Sequence, residues 1–457
     1  MSRAKLTIKE KSVMKKRLFC LLLAAVLCCQ LTGCGAAKKP AVTIMVKVPF
    51  LQMMAPADSD VVTAYGFLQE AANAFAEQYD AADVTVNVME FELAREDQEI
   101  PECFDTPEAA DVLYEGYFNM STYIHSGRVV PLDDIISDDL RADIPQSFWE
   151  SSQFNGRTYM LPFLGLQNTI CFNADLFRQA GLEEFVTDDP QTMQNWTQEE
   201  WEYILQTLKE NLPSLIIPMM MYAGNEQGDT HIMTLLRCFG CPFFGEDGRV
   251  HVNTPEGIAA LQWIKECNDK GYFPGGADTL VVTDCYNQFI HGMLAIYFNN
   301  ISQEDACRLD GDFEMRSANF PDFSAPDGSG LATTFITGFE VFDNGDEARL
   351  EASKAFVKFI YESEFIDYMA AAIPCSDSVA KKYADELEDI TKYVGNSDAN
   401  WNFTGNHPNW RGVRAAFYPN IQDLLFGDKT PEEAAADIDA DCNAAIDAGY
   451  ASMELHE

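Results

Sequence analysis

Hydrophobic and polar positions alternate from Ala41 to Val48, with Val42, Ile44, Val46 and Val48 on one face, which predicts a half-buried strand. The period then lengthens. Leu68, Ala71, Ala72, Phe75 and Tyr79 recur at intervals of three and four within Phe67–Tyr79, the stripe of an amphipathic helix. Val84, Val86 and Val88 return to alternation, Ala110–Tyr114 predicts a third strand, and Thr122–Ile136 mixes helix with turn. Strand and helix in this succession predict an α/β domain with a largely parallel sheet.

Farther along, helix starts are marked by their caps. Thr197 and Glu200 form a capping-box pair ahead of Trp201, Ile204, Leu205 and Leu208. Asn253-Thr254-Pro255-Glu256 places a Thr cap before a first-turn proline, and Gly271 closes that helix. Thr430 and Glu433 cap an Ala-rich final helix. Met293–Tyr297 and Glu340–Phe342 read as strands, and Asp322–Gly330, with Pro326, Asp327, Gly328 and Gly330, is the clearest loop.

Composition narrows the function classes. The 457 residues carry 31 Lys+Arg against 72 Asp+Glu, a formal charge of −41. That excess repels a phosphate backbone and argues against nucleic-acid binding. The length suits about three domains of roughly 150 residues, or two large lobes.

The first 33 residues hold seven Lys/Arg and a single acid, so the acid excess belongs to the rest of the chain. Lys15, Lys16 and Arg17 precede an uncharged run from Leu18 to Leu31, too short for a stable membrane anchor and of the right length for the apolar core of a signal peptide. It ends in Leu31-Thr32-Gly33-Cys34, which resembles the bacterial lipobox, so Cys34 is the expected lipidation site. The alternatives are an ordinary signal peptide cut near Gly33 and an uncleaved anchor. Residues 34–41 then form a short tether. Lipid, not charge, would attach such an acidic body to the extracytoplasmic face of a cell membrane.

Of 13 cysteines, nine lie beyond Cys34, an odd number that leaves at least one unpaired within the chain. Cys238-Phe239-Gly240-Cys241 offers a redox pair or half of a zinc site, but no second Cys-x-x-Cys or His-x-x-x-His completes the zinc set. Buried thiols, with at most one local disulfide, are the expectation. The six histidines (125, 231, 251, 291, 407, 456) show no metal-ligand spacing, and no nucleotide-binding or hydrolase motif is present. No metal or cofactor is expected.

Several segments, in order, resemble the extracellular solute-binding proteins of ABC importers, in the carbohydrate-binding group that includes maltose-binding protein. They are Asp111–Tyr114 with Ser126–Leu132, Asn155–Pro162 leading to Cys171–Phe177, Asn253–Gly257, Gly292–Ile296, Ala352–Phe359 with Ile373-Pro374, and Asn409–Arg414 running to Gly427–Ala434. The resemblance covers about Val42 to Ala448. It implies a type II periplasmic-binding-protein-like α/β fold: two lobes, a hinge, and ligand in the cleft between them. The implied division is 42–163 and 320–374 for lobe 1, and 164–319 and 375–457 for lobe 2. The resemblance further implies a monomer that delivers a solute to permease subunits, without a catalytic set.

Sugars present apolar C–H faces and rings of hydroxyls, so their sites combine aromatic platforms with hydrogen-bonding side chains. By resemblance, Trp410 is the expected platform, with Arg411 beside it. Tyr114, Glu115 and Tyr117 follow the lobe 1 strand. Gln167 and Asn168 lie on the first crossover, Asn225 and Glu226 in a polar loop, Tyr297 and Asn299 after Gly292-Met293, and Phe335 and Thr337 on the return strand. Phe163, Leu164 and Leu166 make the crossover more apolar than in maltose-binding protein. Three other readings stay open: an enzyme on the same fold with Cys285 as nucleophile, a binder of a non-sugar solute such as a peptide or polyamine, and a sensor subunit.

Overall fold

The computed structural model describes residues 39–50, 61, 63–92, 95–225, 228–325, 328–387, 390–394, 396, 401 and 403–454. The signal segment, Cys34 and Glu226 lie outside the described residues, as does the side chain of Asn299.

The first half opens with β1 (Ala41–Pro49), α1 (Ala64–Gln78), β2 (Asp83–Phe91), β3 (Val112–Gly116) and α2 (Met120–His125). A long strand, β4 (Met160–Asn173), leaves it. The second half holds α3 (Gln198–Asn211), β5 (Ile217–Met219), α4 (Asp229–Cys238), α5 (Pro255–Asp269), α6 (Val282–Ile290), β6 (Leu294–Asn300), α7 (Ile301–Asp310) and β7 (Met315–Ala318). The chain returns on β8 (Thr333–Val341) to α8 (Glu347–Glu362) and β9 (Ile373–Pro374). It crosses again to α9 (Thr391–Val394), α10 (Trp410–Phe426) and α11 (Pro431–Glu454).

The first strand read from the sequence is present, and Val42, Ile44, Val46 and Val48 are buried. From Ile44 onward, however, Met45 and Lys47 on the other face are buried too, because β1 lies inside the sheet, paired in parallel with β2 and β3. Thr197 accepts from the Glu200 amide while the Glu200 carboxylate accepts from the Thr197 amide, and Trp201, Ile204, Leu205 and Leu208 are buried behind that cap. Thr254 caps α5 with Pro255 at its start, and Gly271 follows the helix with φ +70°. The strand foreseen at Glu340–Phe342 is longer and begins at Thr333. Its first residues, Thr-Thr-Phe-Ile-Thr, lack polar alternation because all nine positions of β8 are buried.

Ten strands form one hydrogen-bonded sheet, yet it divides in two. β2, β1, β3 and the later part of β8 make one half; β5, β6, β7 and the end of β4 make the other. β4 and β8 pair antiparallel from Thr333–Asn168 to Glu340–Met160 and so run through both halves. Their register shifts between Thr337 and Gly338, where a Cβ on Gly338 would come 2.1 Å from the Leu161 carbonyl oxygen. β9 adds a third crossing by pairing Ile373 with Gly165 and Pro374 with Leu164. Three crossings side by side form a hinge between two α/β lobes.

Asp111 ties lobe 1 together. Its carboxylate accepts from the Met45 amide at 2.7 Å, Asn344 Nδ2 at 2.8 Å and the Arg349 guanidinium at 2.6 Å. All nine cysteines among the described residues are free thiols, Cys238 and Cys241 included. No helix among the described residues is long and apolar enough to cross a membrane.

Candidate ligand-binding site at the interlobe seam

Successive residues of a strand point to opposite faces, so the two crossing strands present two different surfaces. On one, Gln167 donates to Thr334 Oγ1 at 2.8 Å and to the Asn396 carbonyl at 3.1 Å, and accepts from Asn396 Nδ2 at 2.9 Å. Asn396 also exchanges hydrogen bonds with Asn319, which reaches Asn195. Farther along this face, the Cys171 thiol meets Cys307 of α7. The buried Glu304 of that helix takes Lys392 at 2.7 Å, Arg308 at 3.1 Å and the Tyr393 hydroxyl. Every charge there has a partner, as burial demands.

The opposite surface carries Leu166, Asn168, Thr333 and Phe335. Thr333 shares a 2.9 Å hydrogen bond with Thr234 of α4. Phe335 meets Phe118 at 5.1 Å, just ahead of α2, and Phe118 meets Phe403 at 5.6 Å. Trp401 closes this group. Its amide donates to the Thr334 carbonyl, its carbonyl accepts from the Tyr117 hydroxyl at 3.1 Å, and its ring lies 5.9 Å from Phe403. Lobe 1 thus supplies Tyr117 and Phe118, α4 of lobe 2 supplies Arg237, and Trp401 lies between them, half-buried. A half-buried indole next to amide and hydroxyl side chains can stack on an apolar face while its neighbours exchange hydrogen bonds.

The structure separates the residues expected to bind ligand. Tyr117, Asn168 and Phe335 come together at this seam. Gln167 lies on the other face of its strand, engaged with Thr334 and Asn396. Trp410 is 3% exposed in the first turn of α10, packed on Phe403 and Phe244, and its indole N–H has no partner among the described residues. Arg411, next on that helix, is exposed.

Tyr114 is enclosed by Phe67, Phe163 and Phe339. Glu115 is buried on the opposite face of β3, where burial and then the nearby Glu96 hold its carboxyl well above the usual range. Tyr297 is fully buried and stacks on Phe289 of α6, on the Cys171 face. Asn225 is half-buried in the loop before α4, its carbonyl accepting from the Gly228 amide. Thr337 is buried on β8 opposite Gly116. Cys285 is buried, donates to the Met221 carbonyl at 3.7 Å, and is pushed up to about 12 by burial, the reverse of an activated nucleophile.

Sequence reasoning passed over Trp401, Phe118 and Arg237. The available signal was a lone tryptophan in an Asn- and Gly-containing stretch with no helical period, Asn400-Trp401-Asn402 to Gly405-Asn406.

A model of the family described as bacterial extracellular solute-binding protein matches residues 59–365. A Brucella abortus (strain 2308) protein with a provisional binding-protein name is 23% identical over 211 residues, 44% of this chain and 47% of the relative. The chain therefore spans about half the length of that curated relative. Among solved structures, the sugar-binding protein MalE of Xanthomonas citri superimposes with a TM-score of 0.71 at 14% identity, covering 90% of this chain and 99% of that one. The cyclic alpha-maltosyl-1,6-maltose binding protein of Arthrobacter globiformis gives 0.70 at 18% identity, covering 90% and 100%. Their likeness to this chain is one of fold: two lobes of the type II binding-protein class.

Proposed function

Because the chain belongs to the bacterial extracellular solute-binding protein family, we propose that it captures a carbohydrate between its lobes and presents the closed, loaded form to the permease of an ABC importer. The observation that carries this reading is Trp401. It is a half-buried indole bonded to β8 at the Thr334 carbonyl and to Tyr117 of lobe 1, on the surface that also carries Phe118 and Asn168. Aromatic platforms with neighbouring amides suit a polyhydroxylated ring with apolar faces. Solved relatives named for sugar and cyclic oligosaccharide binding support the same ligand class.

Lobe 1 comprises residues 42–163 and 320–374, lobe 2 residues 164–319 and 375–457, and closure is rotation about β4, β8 and β9. The chain acts as a monomer at the extracytoplasmic face, anchored by lipid on Cys34. Basic residues, an apolar run and Leu-x-Gly-Cys in that order support the anchor. Asn225, Glu226, Asn299 and Arg411 are further candidates from the sequence.

The test is isothermal titration of the purified chain with neutral and acidic mono- to trisaccharides, with peptides and polyamines as controls. Saturable binding of a sugar without chemical change supports the reading, whereas capture of only a peptide or polyamine replaces it.

A further inference from the structure

Among the described arginines, ion pairing is nearly complete. Each described arginine other than Arg237 and Arg411 has a carboxylate within 4.0 Å. Arg411 has a partner of its own. Arg237 is the exception, in a protein with 72 acids. Its guanidinium gives one hydrogen bond, to the Ala332 carbonyl at 3.1 Å, and its plane lies 5.1 Å from the Trp401 ring centroid. A guanidinium has five N–H donors, so most of this one's capacity finds no acceptor among the described residues.

Asp322 acts on it from beyond ion-pair reach, and one oxygen of that carboxylate accepts from both the Ser324 amide and hydroxyl. Burial holds the Arg237 guanidinium below its usual range, the mark of a cation drawn from water without a close anion.

Position gives the imbalance a use. Ala332 adjoins Thr333, which pairs with Asn168, and Trp401 bonds to the carbonyl of Thr334, two residues beyond the one that Arg237 holds. The unpaired fork and the half-buried indole therefore share one site at the seam. Indole offers a surface for the C–H face of a sugar, and guanidinium offers two parallel donors to a carboxylate. An ammonium ligand would be repelled at this point, and a neutral sugar would leave the cation unmatched.

We propose that the ligand is an acidic carbohydrate, a uronic-acid residue or short uronate oligosaccharide, whose carboxylate is gripped by Arg237 while its ring rests on Trp401. This rests on the carbohydrate reading above and assigns its charge. Arg237 is the residue that sets the preference, and the acidic exterior does not oppose entry strongly at physiological salt, where charges are screened within about 8 Å.

The experiment is titration of the full chain with digalacturonate and with galactobiose, with a sulfated galactobiose as a third arm, each at low and high sodium chloride. The carboxylated sugar is expected to bind at least about tenfold tighter than its neutral counterpart, and salt should weaken it more. Arg237→Met should erase the difference while retaining cooperative unfolding. Arg237→Lys, which keeps charge but not the fork, should retain part of it. Equal or better binding of galactobiose, or equal losses for both sugars in Arg237→Met, overturns the assignment and makes Arg237 a support for Trp401 alone. Preference for the sulfated sugar over digalacturonate overturns the carboxylate as the recognised group. Failure of every sugar in a wide neutral and acidic panel overturns the carbohydrate reading itself.

Discussion

The guanidinium of Arg237 lies 5.1 Å from the centre of the Trp401 ring, joining a helix of lobe 2 to the one half-buried tryptophan among those described. A cation over an indole face contributes about 0.5–2 kcal/mol and fixes the plane of the ring. Trp401→Ala should therefore reduce sugar affinity at least about tenfold and leave the unfolding midpoint close to that of the parent. Calorimetric titration paired with a thermal melt measures both, and unchanged affinity would remove Trp401 from the site.

Trp410 should behave differently. It is 3% exposed and packs on Phe403, Phe244 and the Arg414 guanidinium. Truncating such a residue removes buried apolar area and leaves a cavity, at a cost of about 3–5 kcal/mol. Trp410→Ala is expected to lower the denaturant midpoint sharply. A variant of parental stability that has lost binding would instead make this ring the platform that the sequence resemblance implies.

Asp111 is 1% exposed and receives Met45, Asn344 and Arg349 together. Removing one member of a buried ion pair strands the other, at about 3–5 kcal/mol. Asp111→Ala should destabilise lobe 1 by that order in urea. The double variant with Arg349→Met should recover part of the loss, since no charge is then left unpaired. Strict additivity of the two substitutions would contradict the coupling.

His231 sets a pH dependence. Its ring lies between Tyr222 and Phe298, neither ring nitrogen has a partner among the described residues, and burial pushes it from 6.5 down to about 3. The unfolded chain therefore takes up the proton first as pH falls. The stability that depends on the neutral ring is complete above pH 6.5 and is lost between 6.5 and about 3. The slope from this group is about 1.4 kcal/mol per pH unit. His231→Phe should flatten the acid side of the stability curve relative to the parent in urea melts between pH 4 and pH 7 (roughly the span over which the two values differ). Parallel curves would show that the ring is charged or solvated in the folded state.

The fold was more legible than the site, for a physical reason. Val42–Val48, the Thr197–Glu200 cap and Thr254-Pro255 are local patterns whose meaning depends on neighbours in the chain. Gln167 and Asn168 are adjacent in sequence but face opposite sides of β4. Only Leu166 and Asn168 are left half-buried in a strand otherwise buried on both faces, so no polar alternation in the sequence marks which side holds the seam. Trp401 and Arg237 meet across 164 positions of sequence, a relation that only packing creates. Trp410 attracted notice because polar residues surround it in sequence, yet its neighbours in space are Phe403 and Phe244.

Cys34 is the point where the lipid anchor can be tested without a ligand. Cys34→Ser in the producing bacterium should abolish labelling by a palmitate analogue and shift the protein from the membrane fraction to the medium or the soluble fraction. Retention of the label would place the lipid elsewhere.

The central claim is that the chain grips a sugar between its lobes and releases it unaltered. Titration of the full chain with the panel of neutral and acidic sugars, followed by mass analysis of the recovered ligand, tests this most directly. The expected result is one saturable site for a carbohydrate that comes back with its mass unchanged. A panel bound nowhere, or a sugar recovered cleaved or modified, would contradict it.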